Sequence, residues 1–251
     1  MFRISCLSAF PNTSLATLAK SAVRLISVLL VFAIPTLTVA DVSLRIAASY
    51  PDYALLLQHT RTDMSFENAA SDARFRESQL GVAFGNSASD WLKLRLIIGN
   101  IGFSIDDSPR GDNFDPAGTY LGVSLDLDFP LSERVAFVGS SEYRYIKAED
   151  TIDTSSIEYR MDELITSAGL RIQLSESITL QGGVRNLWVD GRERFQDSGT
   201  VETSDFEAAD SASAYLLLKI YQDRSGYVGL QAESGARESL SVYFRRSYRF
   251  R

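Results

Sequence analysis

Cysteine and histidine are almost absent from this chain of 251 residues. Cys6 is its single cysteine and His59 its single histidine. One cysteine cannot form a disulfide within a chain, and Cys6 lies in an amino-terminal stretch that we expect to be removed. The mature chain is therefore predicted to have neither a disulfide nor thiol chemistry, as suits a protein exported to an oxidising space without needing a covalent staple.

Positive charge is also in short supply. The sequence has 25 Lys and Arg residues against 32 Asp and Glu residues, and its formal net charge is −7. Binding to nucleic acid requires clustered Lys and Arg side chains that neutralise phosphates. The acidic balance therefore argues against nucleic acid as a partner.

Long apolar runs are absent except for one near the amino terminus. Residues 25–34, LISVLLVFAI, follow a basic stretch that ends at Arg24, and the small residues Thr38 and Ala40 come shortly after. This order is typical of a secretory signal peptide, and the run is shorter than the roughly 20 residues of a membrane-spanning helix. We predict that residues 1–40 are a signal peptide that is cleaved near Ala40.

Long helical periodicity is missing too, and alternation takes its place. The segment at residues 120–129 reads YLGVSLDLDF. In an extended chain successive side chains point to opposite faces, so this segment has one apolar and one polar face. The apolar face holds Leu121, Val123, Leu125, Leu127 and Phe129. The polar face holds Gly122, Ser124, Asp126 and Asp128. A half-buried strand in a soluble protein would show the same pattern.

The same alternation returns along the whole mature chain, which predicts an all-β protein. We predict about ten strands, with 8 or 12 as alternatives, in an antiparallel up-and-down transmembrane β-barrel. The predicted strands lie at residues 53–64, 78–85, 91–105, 120–129, 134–147, 159–174, 178–190, 212–222, 227–233 and 240–250. Residues 41–52 are predicted to be an amino-terminal arm or the start of the first strand, and residues 53–251 the barrel.

The predicted connections alternate between short and long. Four are tight turns, at residues 86–90, 130–133, 175–177 and 223–226. Four are longer acidic or Gly-rich links, at residues 64–72, 106–119, 148–156 and 195–210, and a shorter one lies at 234–238. This chain thus resembles small bacterial outer-membrane β-barrel proteins of the broad porin-like group, in which short turns face the periplasm and long loops face outward.

That resemblance implies a location and partners. It implies a monomer in the bacterial outer membrane that contacts outer-membrane lipids and is inserted by the barrel assembly machinery. The last strand supports it, because Phe244, Tyr248 and Phe250 resemble the carboxy-terminal aromatic signal for assembly, although Arg251 follows where the usual pattern ends on the aromatic. Arg246 falls in the lipid-facing phase, so we expect either a bulge that turns it inward or a side chain that reaches the interface.

The polar phase of each strand is expected to face the lumen. The predicted lumen-lining residues are Lys93, Arg95, Asp126, Asp128, Glu142, Arg144, Arg171, Arg185, Lys219 and Arg245. Gln79, Glu163, Gln181, Gln231, Glu233 and Arg249 share that phase. Buried charges must be paired or solvated, and a barrel of this size is narrow. Two hypotheses remain open, a lumen plugged by salt bridges and a narrow channel for small polar solutes.

Enzymatic chemistry finds little support in the sequence. Proteases of the omptin family also have ten strands, but they need acidic pairs and a histidine near the extracellular rim, whereas Asp126 and Asp128 precede a predicted periplasmic turn. His59 lacks the His-x-Ser arrangement of lipid A deacylase barrels, and general base work needs an oriented nucleophile beside the histidine. We therefore predict no catalytic residue, no cofactor and no metal site. The acids of residues 106–115 are interpreted as a solvated loop rather than a calcium site.

The sequence thus favours an outer-membrane barrel that is structural or forms a narrow channel. A protein whose extracellular loops bind or adhere to an external partner is the alternative, and an outer-membrane hydrolase comes third. A soluble periplasmic β-sandwich remains open as a different fold.

Overall fold

The computed structural model describes residues 52–66, 73–106, 114–223 and 226–247. These residues form eleven β-strands, and no helix in them is long and apolar enough to cross a membrane. The strands are β1 Asp52–Phe66, β2 Ala73–Ser87, β3 Leu92–Asp106, β4 Ala117–Pro130, β5 Val135–Ile152, β6 Ser155–Gln173, β7 Ile178–Asp197, β8 Thr200–Ala208, β9 Ala212–Asp223, β10 Gly226–Gly235 and β11 Arg237–Ser247. The predicted signal peptide at 1–40, its cleavage point and residues 41–51 of the predicted arm lie outside the described residues, and Asp52 begins β1.

All the strands belong to one antiparallel sheet that closes on itself. Neighbours along the chain pair from β1 to β7, then β7 pairs with β9, β9 with β10 and β10 with β11. Closure comes from β11, which pairs with β1 from Thr62↔Arg237 down to Asp52↔Ser247. Ten strands thus form a complete ring, which is the predicted up-and-down barrel and leaves no sheet edge along this circuit.

The eleventh strand, β8, corrects the prediction of a loop at residues 195–210. β7 extends to Asp197 and turns through Ser198 and Gly199, both with positive φ, into β8. β8 pairs with β7 on one side and with β1 on the other, as in the pairs Gly191↔Phe206 and Phe66↔Phe206. The barrel wall therefore contains a second circuit, of the eight strands β1 to β8.

The two circuits arise because the chain kinks between β8 and β9. Both strands run antiparallel to β7, yet β9 neighbours β10 whereas β8 neighbours β1. The hairpin of β10 and β11 is short. It turns at Gly235, which has a φ of 132°. A Cβ at Gly235 would lie 2.5 Å from the carbonyl oxygen of Ala212, so this turn needs glycine. The wall is thus ten strands wide at one end and is closed by β8 at the other.

The connections define two ends, which we call the turn end and the loop end. The turn end holds the tight turns after β2, β4 and β6, and the loop end holds the long hairpin of β5 and β6, which turns at Asp153 with a φ of 53°. The predicted loop at 148–156 is therefore almost entirely strand. Residues 67–72, 107–113 and 224–225, which belong to three other predicted connections, lie outside the described residues.

Outward-facing side chains form an apolar belt around the ring. It includes Leu57, Leu80, Leu94, Leu96, Ile98, Leu121, Val123, Phe137, Leu170, Val184, Leu216, Leu230, Leu240 and Phe244, each more than a third exposed. Soluble monomers rarely expose contiguous apolar surface on this scale. A closed antiparallel barrel with such a belt is suited to hydrocarbon, because each strand of the ring pairs with a neighbour on both sides.

Arg246 lies at the turn end of β11 and faces outward. The pairing of β11 with β1 continues without a shift through Ala54↔Arg245 and Tyr53↔Arg246. The one register shift of this region lies between Gly226 and Tyr227, where β10 pairs with β9. The hypothesis of a bulge that turns Arg246 inward is therefore wrong, and its position at the strand end allows the side chain to reach the membrane interface.

Candidate functional site

The lumen of the barrel is the candidate functional site, and it is divided into three layers. Inward-facing side chains change from apolar at the loop end, through a buried network of ion pairs, to a partly open basic region at the turn end. We call these the apolar layer, the middle layer and the basic layer. The fold places them in this order because most strands contribute to two or three layers in turn, whereas β8 contributes to the apolar layer alone.

The apolar layer is built from aromatic rings that meet across the lumen. Phe66 and Phe75 on β1 and β2 contact Phe206 on β8, with ring centroids 5.0 and 5.5 Å apart. Tyr159 and Phe103 contact Phe75 at 5.5 and 5.8 Å. Phe75 and Tyr159 have no exposed surface. These rings fill the lumen at the level where β8 closes the wall.

One polar group is sealed beneath these rings. The hydroxyl of Tyr159 donates a hydrogen bond of 2.7 Å to the carboxylate of Glu193, which is itself buried. Aliphatic side chains complete the layer, namely Met64, Ile105, Ile157, Met161 and Val189. The predicted polar lumen therefore does not continue to the loop end, which is apolar instead.

Arg237 organises the middle layer. Its guanidinium donates to Glu163 at 2.9 Å and contacts Glu77 at 3.4 Å and Thr60 at 3.5 Å. Its side chain is only 1% exposed. A guanidinium can stay charged in such a place because it presents five donors to carboxylates around it.

Arg144 extends the middle layer to the opposite wall. Its Nε lies 2.5 Å from Glu142 and 3.4 Å from Glu163, and its NH1 donates to Gln79 at 2.7 Å. Glu163 therefore bridges two buried arginines, one on each side of the lumen. Such a network satisfies the charges that burial would otherwise penalise.

A second ion pair lies beside this network. Arg185 NH1 lies 2.5 Å from Glu233, whose side chain has no exposed surface, and the guanidinium stacks over the ring of Tyr215 at 4.9 Å. Ser239 also donates to Glu233 at 3.3 Å. The middle layer thus contains ion pairs from β2, β5, β6, β7, β10 and β11.

The basic layer occupies the turn end. Arg95 contacts Asp126 at 2.5 Å, and Arg171 contacts Asp128. The side chains here are more open than those of the middle layer, with Arg171 30% and Asp128 36% exposed. The lumen is therefore accessible from the turn end and shut at the loop end.

Two further basic side chains of this layer, Lys219 and Arg245, lie over the ring of Tyr227. Lys219 Nζ lies 5.3 Å and Arg245 Cζ 5.8 Å from its centroid. Cations over a tyrosine face are attracted by the ring quadrupole. Tyr221 packs against Tyr227 with centroids 5.2 Å apart.

The structure places all ten predicted lumen residues on the inward faces of their strands. Lys93, Arg95, Asp126, Asp128, Arg171, Lys219 and Arg245 lie in the basic layer, and Glu142, Arg144 and Arg185 lie in the middle layer. Of the other residues in that phase, Arg249 lies outside the described residues.

Two central residues were missing from the sequence prediction. Arg237 fell in a predicted link at 234–238, and Glu77 preceded the predicted start of its strand. Both continue the inward phase, Arg237 with Ser239 and Glu77 with Gln79. Extending the predicted strands backwards by one residue to Glu77 and by three residues to Arg237 would have found them.

His59 faces outward, away from the lumen. Its Nδ1 lies 3.1 Å from the hydroxyl oxygen of Ser78, which is directly opposite on β2. Both side chains border the apolar belt, as expected of an interfacial polar pair. Among the described residues, no group of three or more His, Cys, Asp or Glu side chains is arranged to hold a metal ion.

The proposed assembly signal is described only in part. Phe244 lies on the outward face of β11 and is 45% exposed. Tyr248 and Phe250 lie outside the described residues. The role of these aromatics in assembly stays a prediction.

No protein-family model matches the chain, and no curated protein is similar to it in sequence. Among solved structures, the outer membrane protease OmpT from Escherichia coli matches with 8% identity and a TM-score of 0.49, covering 84% of this chain and 100% of that chain. The translocator domain of the autotransporter NalP from Neisseria meningitidis matches with 11% identity and a TM-score of 0.45, covering 94% of this chain and 98% of that chain.

An outer membrane channel from Pseudomonas putida F1 is a third match, with 12% identity and a TM-score of 0.44, covering 80% of this chain and 96% of that chain. The structures that this chain resembles are bacterial outer-membrane β-barrel proteins. They include a protease and a channel, so the likeness of fold does not select a function. Function has to be argued from the lumen of this chain.

Proposed function

We propose that this protein is an integral outer-membrane barrel that is closed to solutes, with a structural role rather than that of an open channel. The observation that carries the proposal is the apolar layer. Five aromatic rings occupy the lumen where β8 closes the wall, and the Glu193 carboxylate among them already accepts a hydrogen bond from Tyr159. Ions and small polar solutes would lose their hydration there, at a cost that the surrounding apolar side chains do not offset.

The middle layer supports the same proposal. Its charges contact one another at hydrogen-bond distance across the lumen, from Arg237 through Glu163 to Arg144. A passing ion would have to break these contacts, and an unpaired buried charge is strongly unfavourable. The lumen thus has two successive barriers.

Conductance in planar bilayers tests the closed state. We expect the purified full-length protein, shown to be folded by its heat-modifiable migration on a gel, to give no discrete current steps. The triple variant Phe75→Ala, Phe206→Ala, Arg144→Ala should produce steps, because it removes two rings from the apolar layer and one guanidinium from the middle layer. Phe137→Ala, a change on the lipid-facing side, is the matched control and should stay silent.

Steady conductance of the unaltered protein, with steps that scale with salt, would overturn the closed reading in favour of a narrow channel. Silence of the folded triple variant would show that these two layers are not what closes the lumen. Fractionation of the protein with the outer membrane tests the proposed location.

A further inference from the structure

The basic layer has more positive than negative charge among its described inward-facing side chains. Lys93, Arg95, Arg171, Lys219 and Arg245 face the carboxylates of Asp126 and Asp128. Arg95 contacts Asp126, and Arg171 contacts Asp128. In a narrow lumen with low-dielectric walls, such an imbalance concentrates anions.

Lys219 is the clearest sign of an unmet charge. Within the described ranges, no carboxylate lies within 4.0 Å of its Nζ, and its one specific contact is the ring of Tyr227. Its electrostatic neighbours include two further cations, Arg171 and Arg95, as well as the two aspartates. A cation enclosed in this way is stabilised by an additional anion.

Other polar atoms of the same region also lack acceptors. Thr179 lies directly opposite Lys219 on β7, is only 7% exposed, and its hydroxyl has no hydrogen-bond partner. The buried Nε of Arg95 also has none. Both atoms can donate to an acceptor, and Lys219 Nζ, which has no carboxylate within 4.0 Å in the described ranges, is a third donor. Oxyanions carry several acceptor oxygens and satisfy several donors at once.

We propose that the basic layer is a binding site for a multivalent oxyanion of the phosphate class that enters from the turn end. Lys219, Thr179 and Arg95 donate to its oxygens, and Tyr227 holds Lys219 in place through the face of its ring. The site is reached without crossing the middle or apolar layer. The proposal is therefore independent of whether the barrel conducts.

Calorimetric titration of the full-length folded protein in detergent with pyrophosphate tests the site. We expect saturable binding that weakens about tenfold in Lys219→Met, as for the loss of a charge-assisted contact. Thr179→Val, which keeps the shape and removes the hydroxyl, should weaken binding several-fold. Lys147→Met is the matched control, because this lysine is on an outward strand face and 43% exposed, and it should leave affinity within twofold.

The result that overturns the proposal is absence of saturable binding, or equal affinity in the unaltered protein and Lys219→Met. If Lys219→Met does not fold, as judged by heat-modifiable migration, the proposal is decided by the pyrophosphate affinity of Thr179→Val compared with that of Lys147→Met. A short-chain phosphatidic acid distinguishes a lipid headgroup from a free anion. If this lipid binds and pyrophosphate does not, the phosphate group is bound on the outer surface of the barrel, and the lumen site is refuted.

Discussion

At the scale of single residues, Arg237 has the largest structural role in the lumen. It is the first residue of β11, so it is positioned by the closing strand and contacts carboxylates on β2 and β6. Glu77 and Glu163 are both almost completely buried. Removing the guanidinium would leave two buried carboxylates with one fewer cation between them.

We expect Arg237→Met to lower the free energy of unfolding by about 3–5 kcal/mol, the usual cost of breaking a buried ion pair from one side. The measurement is the urea midpoint of the protein in lipid vesicles. Arg61→Met is the control, since Arg61 is 43% exposed and lies 3.7 Å from Glu238, and exposed pairs contribute only about 0–1 kcal/mol. Equal midpoints for the two variants would contradict the central role of Arg237.

At the scale of elements, β8 decides the form of the loop end. It continues the pairing of β7 and then meets β1 through only three residue pairs, from Met64↔Ala208 to Phe66↔Phe206. This short contact closes the circuit of eight strands above the hairpin of β10 and β11. Phe206 reaches the apolar layer only because β8 is held in that position.

The seam between β1 and β8 can be tested with a disulfide. Ser65 and Glu207 are directly opposite across it, and antiparallel partners have Cα atoms about 4.5 to 5.5 Å apart, a separation that a disulfide spans. Oxidation of Ser65→Cys, Glu207→Cys should cross-link the chain and change its migration on a non-reducing gel. Ser65→Cys, Val201→Cys should not cross-link, because Val201 lies six residues before Glu207 on β8, toward the turn that joins β7 and β8. Efficient cross-linking of the control pair, or none of the first pair, would refute this seam.

At the scale of the whole molecule, the apolar belt and the closed ring place the barrel in a membrane. The belt follows from the outward phase of every long strand, and its border is marked by polar residues such as His59 and Asn100. Among the described residues, the inward apolar side chains are buried, so the outward phase provides the large apolar surface that faces lipid.

A charge placed in the belt should oppose insertion according to its depth. Leu96 lies mid-belt on β3, and Leu96→Arg should lower the free energy of unfolding by about 2–4 kcal/mol. Asn100 lies on the same face at the border of the belt, and Asn100→Arg should lower it by about 0–1 kcal/mol. Folding into lipid vesicles, followed by heat-modifiable migration, measures the difference. Equal folding of the two variants would contradict the assignment of the belt to the hydrocarbon region.

Much of this architecture could be predicted from the sequence, because alternation with a period of two needs only local information. It predicted the strands, the inward phase of residues such as Arg144 and Lys219, and the short turns. It failed at 195–210 and at 234–238, where polar and small residues look like loops. Those segments are held as strands by neighbours far along the chain.

The sequence by itself determined that the chain forms strands with one apolar and one polar phase, since side-chain alternation follows from backbone geometry. Only the tertiary structure decided that the polar phase becomes apolar at the loop end and basic at the turn end. The reason is that β8, which lies outside the ring of ten, pairs with β1. In addition, the level along the barrel at which inward residues of different strands meet depends on strand register. Long-range pairing, which no local pattern encodes, thus brings Phe206 onto Phe75 and leaves Lys219 facing the open end.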